Sequence, residues 1–197
     1  MTTVTTESQL SQRLKDATRG IHEALDRRIM AANPFASRER YARFLQVQYR
    51  FHYDIDPLYC SPIFRTLVAD LSERRRLHRI LADLYDLDIA ISPREIGTCV
   101  PPLDTSLAGG MGWLYVAEGS NLGAAILSKM AAKLNLDDQF GARHLAGAPD
   151  GRAQQWRQFT QVLNGLVLDT TQQQQVIDGA RNAFECVRQH AERELSV

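Results

Sequence analysis

The sequence predicts an all-α fold, a single-domain helical bundle, on three observations. No stretch alternates apolar and polar residues with the period of two that a half-buried strand requires. Several segments instead repeat apolar residues at spacings of three and four, the mark of an amphipathic helix. Proline, glycine and asparagine punctuate the chain so as to leave helices of ordinary length and mostly short connections. The 197 residues suffice for one domain with a sizeable core. That domain is expected over 1–197, with residues 1–7 a flexible start.

The first helix is expected over 8–30, where Leu10, Leu14, Ala17, Ile21, Leu25 and Ile29 share a stripe. Asn33-Pro34 ends it. Ser37 is placed to cap a second helix carrying Tyr41, Phe44, Leu45, Tyr49, Phe51 and His52. Pro57 and Pro62 bracket a kink or a restart, followed by short helices over 63–71 and 73–85. Arg74, Arg75, Arg76 and Arg79 on the second of these read as a solvated basic face. Residues 88–105 are irregular, and a long helix follows over 106–134. A short helical segment is expected over 137–145, a loop at 147–151 and a helix over 152–166. Asp169-Thr170 is placed to cap a last helix ending near 194.

Composition narrows the function. There are 23 basic and 23 acidic residues, a balance that argues against a nucleic-acid binder or a polybasic membrane protein. Cys60, Cys99 and Cys186 form no Cys-x-x-Cys or zinc spacing, so free thiols in a reduced compartment are expected. The first residues do not join a basic segment to an apolar run, which points to a cytoplasmic protein.

The helix over 106–134 is unusual in carrying Gly112, Gly119 and Gly123 inside an apolar pattern. Each disfavours a helix interior by roughly 0.5–1 kcal/mol relative to alanine. Spacings of seven and four place all three on one face, at about 100° per residue. Close helix contact explains such a stripe as well as a ligand does. A wide, flat ligand could also lie against the bare backbone, and Gly119-Ser120 could let the helix bend.

Of five histidines, His22 is the best ligand candidate, because it borders the apolar stripe of the first helix. Lys15, seven residues earlier and so roughly 10 Å along the same face, could meet an acid group at the edge of a macrocycle. An imidazole on one helix, a glycine face on another and Lys15 with Tyr115 at the rim describe a haem site with one open coordination position. No Cys-x-x-Cys-His is present, so covalent attachment of that type is disfavoured.

The chain resembles the bacterial haem oxygenases, in particular the short class used for haem iron release. The likeness runs from about Leu14 to Arg188. It includes Leu14-Lys15, Ile21-His22-Glu23 and Pro34-Phe35-Ala36-Ser37-Arg38. The most specific matches are Gly112-Trp113-Leu114-Tyr115, Glu118-Gly119-Ser120-Asn121-Leu122-Gly123-Ala124-Ala125 and Phe140-Gly141-Ala142-Arg143-His144-Leu145-Ala146.

The resemblance implies a haem-oxygenase-like bundle with haem held between a proximal and a distal helix. It implies oxidative cleavage of haem to biliverdin, carbon monoxide and ferrous iron, with haem b as both substrate and cofactor. His22 becomes the iron ligand, and Gly119, Ser120 and Gly123 lie over the ring. Lys15 and Tyr115 hold the propionates, and Phe184 packs against the macrocycle. His52, His144 and Arg76 support an ordered distal water network. Dioxygen is the co-substrate. Because Gly-x-Gly-x-x-Gly is absent, electrons must come from a separate ferredoxin or reductase. A haem carrier or sensor without turnover is the alternative.

Overall fold

The computed structural model describes residues 9–91 and 106–195. The elements are α1 (Leu10–Ala31), α2 (Arg38–Cys60), α3 (Pro62–Leu67), α4 (Leu71–Arg74), α5 (Leu77–Asp86), α6 (Leu107–Ala132), α7 (Arg152–Asn164) and α8 (Thr170–Glu194), with a 3₁₀ turn at Arg143–Leu145. The all-α expectation is met. The expected irregularity of 92–105, including Cys99, and the flexible start over 1–7 lie outside the described residues.

The expected caps form. Ser37 Oγ accepts from the Arg40 amide at 3.3 Å. Asp169 and Gln172 make a reciprocal capping box at the start of α8. Ser106, which the sequence reading does not single out, also caps α6 by accepting from the Gly109 amide at 3.1 Å. Three segments depart from expectation. α2 runs through Pro57 to Cys60, and Pro62 instead opens α3, where its missing N–H costs nothing. The helix expected over 73–85 is split, because the chain breaks between α4 and α5. Residues 137–142 form a tight loop rather than a helix. Asp137 Oδ1 takes the amides of Gln139 and Phe140 at 2.8 and 2.9 Å, competing with helical bonding, and Gly141 sits at φ 72°.

α6 is the centre of the bundle. Met111, Leu114 and Ala117 are buried along it, with Trp113 stacked near Phe51 of α2. Its main partner is α8. The two approach closely because a Cβ at Gly112 would overlap the Val176 carbonyl and the Ala180 amide, and one at Gly179 would overlap the Gly109 carbonyl. Gly112 therefore serves helix contact and is not part of an open glycine face.

α1 and α6 each pack against α7 and α8, but hardly on one another. The backbone of α6 is open over Gly123, and the space on that side, towards α1, is the candidate cleft. α2 and α8 are tied by a buried trio in which His190 Nε2 meets Asp54 Oδ2 at 2.7 Å with Cys186 Sγ beside both. Arg50 donates to Glu194 at 2.6 Å one turn away. These bonds hold α8 as a fixed wall of the cleft.

Candidate functional site

One wall of the cleft is α1. The His22 side chain is 59% exposed, and its ring lies 5.3 Å, centroid to centroid, from that of Phe184 on α8. Its Nε2 is 3.4 Å from the exposed Asp26 carboxylate, a surface contact that contributes little and is readily exchanged. Lys15 is exposed on the same helix.

The other wall is the second half of α6. A Cβ built at Gly123 meets nothing within 4 Å, and one at Gly119 meets only the Trp156 ring at 3.4–3.5 Å. The backbone is bare there, as the sequence suggested for these two glycines. Ser120 Oγ donates to the Ala117 carbonyl at 2.7 Å, turning the hydroxyl onto its own helix beside the open stretch. Tyr115 is buried with its ring 5.3 Å from Trp156. Burial, and then the carboxylate of Asp16 on α1, push its phenol above the usual range. Tyr115 thus lies close enough to α1 to feel the residue next to Lys15.

Behind Gly119 sits a buried polar cluster. His52 on α2 is 4% exposed, and burial first, then Arg76 and His144, push its imidazole down to about 3. Arg76 donates to the His144 carbonyl and, at 3.4 Å, to that of Ala146. Burial lowers the His144 imidazole as well, against the opposing pull of Asp83. Burial therefore favours the neutral form of both rings. His144 Nε2 and Arg76 Nε are buried without a hydrogen-bond partner among the described residues. Glu118, immediately before Gly119, accepts from Tyr59 Oη at 2.7 Å and Arg74 Nη1 at 3.0 Å.

Two members of the basic run after α3 therefore leave the solvated face, while Arg75 and Arg79 stay partly exposed. Arg74 and Arg76 are 2% and 7% exposed, each drawn inward by carbonyl or carboxylate acceptors. Tyr59, Arg74, Asp83, Glu118 and Trp156 were not found as site residues by sequence reasoning. Asp83 did leave a signal, because it falls on the apolar stripe of α5 with Leu77, Ile80 and Leu84. The other four carry no mark that spacing alone reveals.

A cleft with an exposed imidazole on one side and bare helix backbone on the other fits a flat macrocycle carrying one axial ligand. The histidines and buried arginine behind it can hold water and relay protons, and among the described residues the carboxylates there, Glu118 and Asp83, are both bonded.

Residues 8–193 match the Heme oxygenase family. The chain is 42% identical over 180 residues to Heme oxygenase PigA of Pseudomonas aeruginosa, spanning 91% of this chain and 90% of that protein. Among solved structures, the NO- and CO-bound heme oxygenase of Neisseria meningitidis aligns at TM-score 0.87 and 35% identity, covering 95% of this chain and 92% of the other. Heme oxygenase-1 of Synechocystis, in complex with heme, aligns at TM-score 0.78 and 18% identity over 94% of this chain and 92% of its own, a likeness of fold. Among the described residues no helix is long and apolar enough to cross a membrane.

Proposed function

The chain belongs to the haem oxygenase family and degrades haem, and from that premise we propose how its own residues hold the substrate. Haem b would be held between α1 and α6, with His22 the residue to bind its iron. The observation that carries this reading is the open space over Gly119 and Gly123 combined with the exposed His22 ring against Phe184. A neutral imidazole is a suitable iron ligand, and α6 would offer no second one at Gly119 and Gly123. Lys15 and Tyr115 meet the propionates at the rim. Phe184 supports the ligating ring and one edge of the macrocycle.

Bound haem supplies the iron at which dioxygen is activated, and is itself opened to biliverdin, carbon monoxide and ferrous iron. The protein's part is positioning and proton supply. Gly119, Ser120 and Gly123 keep the distal side low and free of acid–base side chains. His52, His144 and Arg76 hold water behind that helix, so that protons arrive through water and not from a carboxyl at the iron. Electrons come from a separate ferredoxin or reductase.

The test is to bind haem, add reductant and dioxygen, and separate the products by chromatography. Biliverdin is the expected product of wild type. His22→Ala should retain part of the haem affinity, lose the axial-ligand signature in the visible spectrum, and lose most turnover, with added imidazole restoring some. An unchanged spectrum and rate in His22→Ala would remove His22 from this role.

A further inference from the structure

Asp83 is fully buried on α5, in a stripe whose other members are apolar. Its two oxygens face donors only. Oδ2 accepts from the His144 amide at 3.0 Å and lies 2.8 Å from His144 Nδ1. Oδ1 accepts from the Arg143 amide at 2.9 Å and from Arg143 Nη1 at 3.3 Å. Both oxygens are already occupied as acceptors by the two amides and the guanidinium, which leaves neither placed to donate. A short contact with Nδ1 therefore requires the hydrogen to sit on Nδ1. The same ring's Nε2 is buried and without a partner among the described residues.

We propose that Asp83 is a positioning residue for the haem-opening reaction, confining the His144 proton to Nδ1 so that Nε2 presents a fixed lone pair to the distal water. This rests on the haem oxygenase reading of the site. A histidine whose far nitrogen is held by a carboxylate keeps one tautomer and one ring plane, as in other sites where an outer carboxylate sets the role of an imidazole. His144 then accepts a hydrogen bond from water. It does not donate one. The direction of the water chain at its open end follows from this. Arg76 secures the arrangement from the other side, because it donates to the carbonyl of the same residue. The 3₁₀ turn at 143–145 is in this way clamped between an anion that takes its amides and a cation that takes its carbonyl.

A merely structural Asp83 would cap that turn and leave the tautomer to chance. The two cases separate by nitrogen-15 NMR of the histidine rings in the full chain, with and without Asp83→Ala, beside single-turnover haem degradation. In wild type the His144 proton is expected on Nδ1, with a bare Nε2. In Asp83→Ala protonated Nε2 should appear. Turnover should fall on the order of tenfold or more, as for loss of an outer partner elsewhere, while haem affinity changes by less than about twofold. Asp83→Asn, which keeps shape and one acceptor, should fall between the two.

A proton on Nε2 in wild type would overturn the proposal, and so would Asp83→Ala with unchanged turnover. If Asp83→Ala does not fold, the wild-type spectrum decides alone. Wild type that opens no haem would sink this proposal together with the reading beneath it. Wild type that opens haem with Nε2 protonated would sink this proposal only.

Discussion

The two halves of α6 use the same residue to opposite ends. In the first half Gly112 is pressed against α8, where a methyl group would overlap the backbone of Val176 and Ala180. In the second half Gly123 meets nothing within 4 Å, and Gly119 touches only Trp156. All three lie within one helix and close to one stripe. The first glycine removes volume so that two helices can touch, and the later ones leave space that haem fills in the proposed function. The partner opposite each position decides the role, and spacing along the helix does not.

The sharpest way to break this contrast is Gly112→Ala. The clash is with backbone, which cannot rotate away, so overpacking should destabilise the fold by about 3 kcal/mol or more. Chemical denaturation of the haem-free protein measures it. A variant as stable as wild type would mean that α6 and α8 can separate, and the two halves would no longer differ.

Gly119→Ala should do the reverse. The new methyl meets Trp156 at ordinary contact distance, so stability should change by less than about 1 kcal/mol. Biliverdin yield should fall if the proposed site is right, since the added group would then stand over the ring. Normal yield from a destabilised protein would transfer Gly119 to the packing half.

Gly123→Ala tests the open end with the least structural cost. Free space and a helical backbone predict a gain of up to about 1 kcal/mol in the haem-free protein. Haem affinity should drop in the same variant. Scanning calorimetry and haem titration read the two effects separately.

Acid should act on the buried histidines. Above pH 6.5 His52 is neutral whether the chain is folded or not. Below that the unfolded chain takes up a proton, while the buried ring, pushed down to about 3, does not. Stability therefore falls as pH drops from 6.5 towards 3. In His52→Leu the decline in melting temperature between pH 7 and 5 should be shallower than in wild type. Equal slopes would show that His52 is hydrated and lies outside the dry region.

Local features were legible in the sequence where local forces decide them. Ser37 and Asp169 cap their helices because each side chain reaches an amide three residues on. The loop at 137–142 was misread as helix because Asp137 and Gly141 favour a turn only in combination, and the apolar neighbours hid it. Arg74 and Arg76 were misread as surface because a run of arginines is usually solvated, and their acceptors, Glu118 and the His144 carbonyl, are distant in sequence.

By itself the sequence determined most of the helices, the caps at Ser37 and Asp169, and the family. These follow from short-range propensities and from motifs that need no knowledge of partners. Tertiary structure alone decided that Gly112 belongs to a helix contact, that two arginines are buried, and that His144 is held by Asp83 from another helix. Each of these is a contact between residues far apart in the chain, and only the packing of α5, α6 and α8 brings the partners within reach.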